Sequence, residues 1–419
     1  MGFDTCSDLA DKGWSSEIPK HHHRIRLMET TILSITHEVE KILPLVRTIR
    51  HYLHAHPELA LQEFITSGYI RAQLVAHGIH PLPPFLETDV VALVVGTEPG
   101  RNVTLRADMD ALPLQEASDL AYRSTVPDMM HACGHDGHCA MLLAAAFVLN
   151  NLRNLFHGSV RFVFQPGEEI VAAGKALVAA GALVEPKPDA VLALHAWPGY
   201  PVGSIASRSE VVMAAADFFK IIIKGRGGHG SRPERTVDPI LIATRVVERL
   251  YALPSRHIGA LDPVVISICS IHGGQSANVI PDEIALEGSI RHLSREAGEK
   301  IPKLFEQTVR NECEKSGASC IIDYTRPYLP TINSPDIIAT GKEIVEQKLI
   351  NAKWVDVAKP SMGSEDFSYY LADNPGAIFF LGMGKESPQL HNTCFNFNDK
   401  ALKNGILFLV LATLELLRE

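Results

Sequence analysis

The sequence predicts an α/β fold with a mostly parallel central sheet, because short apolar runs alternate with stretches of helical periodicity. Each run is continuous, as in strands that are buried on both faces. The clearest runs are Val103–Ala107, Val160–Gln165, Ala190–Leu194 and Ala377–Gly382. A polar loop follows each of them. Since the carboxyl ends of parallel strands lie along one edge of a sheet, we expect these loops to meet at one site.

A different order of elements fills residues 215–327 and predicts a second domain. The pattern reads strand, helix, strand, strand, helix, strand, which is the ferredoxin-like βαββαβ order of a unit that can bury its own core. The predicted elements are Asp217–Lys224, Asp238–Leu253, Val264–Ile271, Glu283–Leu293, Ser294–Gly317 and Ala318–Tyr324. A chain of 419 residues, 46% of them hydrophobic, has enough apolar side chains for two cores.

We therefore expect a main domain made of residues 28–214 and 328–419, interrupted by the second domain. The main domain begins with helical periodicity over 33–76 and ends with an amphipathic helix over 399–417. Residues 1–27 contain the run His21–His23 but no apolar stretch typical of a signal peptide. We interpret them as a disordered leader, with Met28 as an alternative start.

Charge, hydropathy and cysteine content disfavour several classes of protein. A formal net charge of −9 and a pI near 6.1 are unlike the basic surface of a nucleic-acid binder. The longest apolar run near the end, Ile406–Ala412, is far shorter than the ~20 residues that span a membrane. Seven scattered cysteines are unlike the dense, even sets of small secreted domains. We expect a cytoplasmic protein with a small-molecule substrate and without nucleic acid or membrane as a partner.

The segment Met130–His138 brings several metal-binding side chains together directly before an apolar helical stretch. Cys133 lies just before the predicted helix N-terminus, where the helix dipole and a cation favour the thiolate that binds metal. The glycines that follow permit tight turns, so Cys133 and His135 can point to one place. The alternative is a buried cysteine with capping groups. However, three histidines, a cysteine and an aspartate in one short segment are unusual in a purely structural role.

Two adjacent carboxylates, Glu168 and Glu169, follow the predicted strand that ends at Gln165. Neighbouring side chains diverge there. One carboxylate can therefore bind metal while the other acts as a general base on water, as metal-assisted hydrolysis requires. A glutamate pair also caps a helix N-terminus well, and the motif alone fits either interpretation.

Further candidates lie after other predicted strands. His195 and His391 each occupy such a position, although a single histidine there is more often structural. Asp108 and Asp110 follow the first predicted strand, and we interpret them as groups that orient metal ligands. Combined with the earlier motifs, the histidines complete a five-ligand set suited to one borderline divalent ion or to a pair. This set is Cys133, His135, Glu169, His195 and His391.

The second domain carries its own polar motifs. The segment Gly225–Ser231 places His229 on a glycine-rich loop, but it lacks the Gly-Lys-Ser/Thr ending of a phosphate loop, so a nucleotide site is rejected. Asn278 and Arg291 are further groups that can bind a carbonyl oxygen and a carboxylate. For Arg291, a structural position on a solvated strand face is as plausible as a role in substrate binding.

Taken in order, these segments resemble the aminoacylase and carboxypeptidase family of peptidases with two metal ions in one site. The likeness is strongest to its amidohydrolase branch, which includes N-acyl-amino-acid amidohydrolases, hippurate hydrolases and plant hydrolases of auxin conjugates. It covers residues 49–419. The similar motifs are His54–Leu59, Leu105–Pro113, Met130–His138, Gln165–Glu169, Leu194–Pro198, Asn278–Pro281, Ser364–Phe367 and Leu390–Asn392.

The resemblance implies two divalent metal ions per subunit, held by the five-ligand set, with manganese or zinc favoured over cobalt or nickel. It implies that Glu168 activates the attacking water. It also implies a homodimer, or a higher homo-oligomer, formed through the second domain. In that assembly His229 reaches a neighbouring site to stabilise the oxyanion, while Asn278 and Arg291 hold the substrate. Glu365 is expected to support a ligand or the substrate.

We therefore predict a metal-dependent hydrolase that cleaves the amide bond of N-acyl amino acids and releases a free amino acid and a carboxylic acid. A dipeptidase or metallocarboxypeptidase is the alternative within the same chemistry. A non-catalytic metal- or ligand-binding relative is the alternative from another class. Three departures from the family pattern bear on substrate choice: Ile170–Ala172 replaces a glycine-rich run, Gly230–Ser231 replaces the usual small pair, and Asn396 replaces a usual aspartate.

Overall fold

The structure, a computed structural model, describes the backbone of residues 18–418 and the side chains of residues 32–418. The predicted leader over 1–27 lies largely outside the described residues and stays a prediction. The helices are α1 (Ile18–Ala55), α2 (Phe64–Ala76), α3 (His135–Asn151), α4 (Glu168–Val171), α5 (Ala173–Ala179), α6 (Pro239–His257), α7 (Arg295–Lys315), α8 (Pro335–Lys348) and α9 (Leu402–Leu416). The strands are β1 (Val90–Val95), β2 (Asn102–Asp108), β3 (Ser159–Gln165), β4 (Ala190–Trp197), β5 (Ile205–Ser207), β6 (Glu210–Met213), β7 (Ala215–Lys224), β8 (Gly228–His229), β9 (Val264–His272), β10 (Val279–Ile280), β11 (Glu283–His292), β12 (Ser319–Tyr328), β13 (Thr331–Asn333), β14 (Trp354–Asp356) and β15 (Gly376–Gly382).

The central sheet confirms the predicted α/β class. Its strand order is β1-β3-β2-β4-β15-β5-β14. Strand β2 pairs in parallel with β3 and β4, β4 pairs in parallel with β15, and β5 pairs in parallel with β14. Only the β1–β3 and β15–β5 pairs of this sheet are antiparallel. The four predicted runs are β2, β3, β4 and β15, each extended by one to three residues.

Both faces of the central sheet are covered, which explains why its strands are apolar at successive positions. Successive residues of a strand point to opposite faces. In β3, Phe162 and Phe164 join the core cluster formed with α1, α3 and α9, while Val163 between them joins the cluster on the other face with Phe367. Burial on both faces favours apolar residues at most positions of a strand, and the polar residues that remain, such as Arg161, are buried as well.

The C-terminal helix α9 corrects one prediction. Residues 399–417 do contain this helix, but the expected amphipathic pattern is wrong. Every residue from Gly405 to Thr413 is buried. The reason is that α9 packs against α1, α3 and α8 as well as against the sheet, so it has no face left for solvent over this stretch.

The second sheet confirms the predicted βαββαβ order of residues 215–327. Its strands are arranged β12-β7-β11-β9 and all pairs are antiparallel. Helices α6 and α7 cover one face, where apolar strand residues such as Ile221 and Leu286 share a core with Leu250 and Phe305. Helix α7 begins after Ser294 because the hydroxyl of this residue caps the helix. It accepts a hydrogen bond from the Ala297 N–H at 3.0 Å.

The chain enters and leaves the second sheet at neighbouring places. Strand β6, which precedes the second sheet, pairs with β13, which follows it, and Met213 lies opposite Thr331. The outgoing and returning segments are therefore hydrogen-bonded neighbours. Across residues 18–418, no helix combines the length and the hydropathy needed to cross a membrane.

Candidate metal centre

The parallel strands deliver several polar side chains to one edge of the central sheet. Asp108 is the last residue of β2, and Glu168 follows β3 after a short turn. His195 lies near the end of β4. Helix α3 begins at His135, after Gly134 in a left-handed conformation with φ 87°. A residue with a Cβ is strained in that conformation, so glycine suits the turn between Cys133 and the helix.

The five predicted ligands converge on this edge. The Sγ atom of Cys133 lies 3.6 Å from Nε2 of His195. Oε1 of Glu169 lies 3.2 Å from Nε2 of His391 and 3.8 Å from Nε2 of His135. Cys133, Glu169 and His391 can each place one ligand atom within 4.8 Å of the others, as can His135, Glu168 and Glu169.

The chemistry of these donors fits divalent cations. Among the described residues, Nε2 of His135 and Oε1 of Glu169 are buried and find no hydrogen-bond partner, although buried polar atoms normally have one. Burial and the neighbouring His138 lower the pKa of His195, which favours the neutral imidazole that binds metal. Burial, followed by Glu169, raises the pKa of the Cys133 thiol, and a bound cation acts in the opposite direction.

Asp110 contacts two members of the set. Its main-chain oxygen accepts a hydrogen bond from Nδ1 of His135 at 2.8 Å. Its Oδ2 accepts from the N–H of Glu169 at 3.0 Å. These contacts fix the ring of His135 and the backbone of Glu169, which is the arrangement expected of a group that orients ligands.

Asp108 contacts a histidine that the sequence motif alone could not separate from the ligands. Its Oδ1 accepts a hydrogen bond of 2.6 Å from Nδ1 of His138. Nε2 of His138 in turn accepts from the N–H of Ala196 at 2.7 Å. Both ring nitrogens of His138 are therefore engaged. His138 connects Asp108 to the backbone of β4 and has no free nitrogen to offer a metal ion. Oδ1 of Asp108 lies 3.7 Å from Nε2 of His135.

Glu168 is buried beside other acids. Its Oε1 accepts a long hydrogen bond of 3.4 Å from the N–H of Asp366, and Glu365 also lies within ligand distance. Burial, then the charges of Glu365 and Glu169, raise the pKa of Glu168. A carboxyl group with a raised pKa accepts a proton readily, which suits a general base.

Arg106 was not among the predicted site residues, yet it places a positive charge among three buried carboxyl groups of the site. It lies within 2.6 Å of Asp108, 3.1 Å of Glu365 and 2.7 Å of Asp366. All four side chains are buried. The signal in the sequence was a charged residue in the middle of an apolar strand, which is unusual unless the charge is paired.

Arg291 lines the pocket above the donors, together with apolar side chains such as Trp197, Met213 and Phe218. Its Nη1 donates to the main-chain oxygen of Met362 at 2.8 Å. A guanidinium at the wall of a pocket can bind a carboxylate. The placement of Arg291 therefore differs from the solvated strand face that the sequence left open.

His229 and Asn278 lie elsewhere. They sit at the exposed β8–β10 pair, where His229 is opposite Val279, and neither is among the described residues that line this pocket. Nδ1 of His229 accepts a hydrogen bond of 3.1 Å from the Ser231 N–H. In the neutral ring, Nε2 therefore carries the proton. Asn278 thus does not join Arg291 among the described residues that line the pocket, and its expected role stays a prediction.

Comparison with known proteins assigns the chain to a family. Residues 104–415 match the model of Peptidase family M20/M25/M40. The chain belongs to this family. Membership makes the protein a hydrolase of peptide-type amide bonds and agrees with the dense set of metal-binding side chains at the sheet edge.

Several members of the M20 family are similar over most of their length. Thermostable carboxypeptidase 2 of Saccharolobus solfataricus is 37% identical over 379 residues, which cover 89% of this chain and 95% of that protein. N-acetylcysteine deacetylase of Bacillus subtilis is 36% identical over 356 residues, with coverages of 84% and 92%. The crystal structure of the Bacillus subtilis YXEP protein, described as a dinuclear metal-binding peptidase, superposes with a TM-score of 0.79 and 31% identity, covering 90% of this chain and 99% of that one.

Behind the donors of this M20 peptidase, a buried ion-pair network holds the start of α3. Oδ2 of Asp136 lies 2.8 Å from Nδ1 of His54 and 3.1 Å from Nη1 of Arg50. Arg50 also donates to Oδ1 of Asn396 at 3.1 Å, so an amide here accepts the bond at the position of a usual aspartate. Burial alone would lower the pKa of His54, but Asp136 outweighs it and raises that pKa to about 9.

We predict that replacing His54 with Gln costs stability in a pH-dependent way. The His54 pKa is raised from 6.5 to about 9 on folding, so its contribution is full below pH 6.5 and is lost as the pH rises through about 9. This shift corresponds to about 3 kcal/mol. In urea unfolding of the metal-free protein, His54→Gln should therefore be destabilised more at pH 6 than at pH 9.5 by about 3 kcal/mol. The control is His80→Gln, a substitution of an exposed histidine. An equal loss of stability at both pH values in His54→Gln would contradict the prediction.

Proposed function

We propose that the protein hydrolyses the amide bond of N-acyl amino acids and releases a free amino acid and a carboxylic acid. One observation carries the proposal. A single pocket joins the buried donors, the glutamate pair and Arg291. Hydrolysis of an amide needs the metal-binding donors and a general base from the glutamate pair. Recognition of a free carboxylate beside the amide needs Arg291. The similarity to N-acetylcysteine deacetylase supports this substrate class.

The five-ligand set is proposed to hold two divalent ions per subunit. A thiolate with imidazoles suits zinc, cobalt or nickel, while the carboxylates also suit manganese. We favour manganese or zinc. When bound, the ions would polarise the amide carbonyl and make water a stronger nucleophile near neutral pH. Cys133, His135, Glu169, His195 and His391 are the residues proposed to hold them.

Glu168 is proposed to move the proton. Its carboxylate takes a proton from the attacking water, and the oxygen of that water forms the new bond to the amide carbon. The carbon–nitrogen bond then breaks as Glu168 delivers the proton to the departing amine. The raised pKa of this buried carboxyl group supports the role, because the group must hold the proton between the two steps.

Arg291 is proposed to bind the carboxylate of the amino acid, while Asp108, Asp110 and Glu365 orient the groups around the reaction. The apolar pocket walls then accept the acyl group. A dipeptidase or carboxypeptidase would use the same pocket, and the similarity to a carboxypeptidase keeps that alternative open. A non-catalytic binding protein would not need Glu168 beside a complete donor set.

Replacing Glu168 with Gln separates catalysis from metal binding. The variant should lose about 10²–10⁴-fold in kcat, because it cannot accept the proton. It should still bind two ions, since Glu168 is not in the proposed ligand set. The measurement is release of amino acid from N-acetyl and N-benzoyl amino acids and from dipeptides, after loading metal-free protein with each metal. Wild-type turnover with an equally active Glu168→Gln would refute the assignment, and metal binding without any wild-type turnover would favour the binding-protein alternative.

Replacing Arg291 with Gln tests recognition of the carboxylate. A hydrogen bond to a charged group contributes about 1.5–3 kcal/mol, so kcat/KM for an N-acyl amino acid should fall about 10–100-fold. The matched substrate is the same compound with its carboxylate converted to an amide. For that compound wild type and variant should differ by less than about twofold, since no ion pair is lost. Equal losses on both substrates would show that Arg291 does not bind the carboxylate.

We further propose that residues 215–327 form a dimerisation domain and that His229 completes the site of the partner subunit. The exposed position of His229, outside its own pocket, supports this arrangement, and the same assembly would bring Asn278 to the partner's substrate. The free thiols of the described cysteines support a reducing location such as the cytoplasm.

Mixed dimers test the contribution of His229. His229→Ala and Glu168→Gln copies, each nearly inactive alone, are co-expressed with different tags and the mixed dimer is isolated. It should regain about half of the wild-type rate, since one of its two sites has both groups intact. A mixed dimer as inactive as its parents, or a monomer by light scattering, would rule out the shared site.

A further inference from the structure

Tyr328 lies where the chain returns from the second sheet to the central sheet. It is the last residue of β12, after an irregularity in the pairing with β7. Tyr328 is opposite Ala216 of β7, and Ala216 is opposite Arg291 of β11. Directly opposed residues of neighbouring strands point to the same face. In agreement, both Tyr328 and Arg291 line the pocket.

The side chain of Tyr328 reaches the loop that carries the two glutamates. It is 6% exposed, and its hydroxyl donates to the main-chain oxygen of Glu168 at 2.9 Å. Its ring packs against Ala172, which follows α4, and against Ala216. One side chain thus connects the returning strand to the glutamate loop through a polar and an apolar contact.

The glutamate loop depends on such contacts because α4 has only four residues. A helix of one turn is not stable alone. Left-handed residues flank it, Gly167 with φ 60° and Ala172 with φ 49°, and Ala172 carries a Cβ, so its conformation is strained. On the central-sheet side, the Gly167 N–H donates to Oε1 of Glu63 at 2.9 Å. On the second-sheet side, Tyr328 makes the equivalent connection.

We propose that Tyr328 is a positioning residue that sets the spacing between Glu168 and Arg291. The inference rests on the proposed function, in which Glu168 acts at the amide and Arg291 binds the carboxylate. Tyr328, Ala216 and Arg291 form one row across three strands, and neighbouring strands lie about 4.8 Å apart. The row therefore fixes how far the carboxylate lies from the general base. This selects amino acids with one carbon between the amide nitrogen and the carboxylate.

The test compares two substrates with the same acyl group, N-benzoylglycine and N-benzoyl-β-alanine. Tyr328→Phe removes the hydroxyl and keeps the ring. It should lower kcat for N-benzoylglycine about fivefold to tenfold with KM changed less than about twofold, because the loop that carries Glu168 loses one neutral hydrogen bond while Arg291 still binds the carboxylate. The preference for N-benzoylglycine over N-benzoyl-β-alanine should shrink by a similar factor, since the second substrate is already misplaced.

Tyr324→Phe is the matched control. Its hydroxyl is also on β12 but donates to Oδ2 of Asp217 at 2.7 Å, within the second sheet. This variant should keep the kcat and the substrate preference of the wild type. A loss of the same size in both variants would mean that Tyr328 acts only through the stability of the second sheet, and would overturn the proposal.

Hydrogen exchange gives a readout that does not depend on turnover. In metal-free and metal-loaded protein, the amides of residues 168–174 should exchange faster in Tyr328→Phe than in wild type, and Tyr324→Phe should leave them unchanged. Wild type that cleaves no substrate would refute the proposed function, whereas unchanged exchange would refute the contact itself. An active wild type whose kcat and preference survive Tyr328→Phe would refute the positioning role.

Discussion

The buried guanidinium of Arg106 is the charge on which the site depends. It lies within ion-pair distance of Asp108, Glu365 and Asp366, all shielded from water. Buried carboxylates without a cation nearby would become protonated or would destabilise the fold. Arg106 offsets part of the repulsion among these acids, and two of them, Glu365 and Asp366, also act on Glu168. One strand residue thereby permits an excess of acid at the edge of the sheet.

Much of the fold was predictable because burial on two faces leaves a simple pattern. Runs such as Val160–Gln165 are apolar at most positions, and the structure confirms them as neighbouring strands of a mostly parallel sheet. The place of the candidate site was predictable too, because the loops that follow parallel strands lie along one edge of the sheet. The second sheet and its two helices were predictable because the βαββαβ order is that of a unit that can bury its own core. In these cases the local pattern and the tertiary contacts agree.

The remaining features depend on contacts between distant residues, which a local pattern does not contain. Helix α9 has polar residues at its ends, and only its position between other helices explains why its middle is wholly buried. His138 and His135 are equivalent in the motif, but partners from β2 and β4 engage both nitrogens of His138. Asn278 is exposed beside the β8–β10 pair, and nothing in its segment indicated that it lies outside the described lining of the pocket. Nothing in the sequence indicated a role for Tyr328, because a tyrosine at the end of a strand is common.

The pairing of β6 with β13 has a consequence for how such a chain can change. The two segments that join the sheets are hydrogen-bonded neighbours, with Met213 opposite Thr331. An insertion whose ends lie side by side can be lengthened, shortened or exchanged without moving the strands that flank it. The surface of the second sheet and its helices can therefore diverge during evolution, while the central sheet and its donors stay in place.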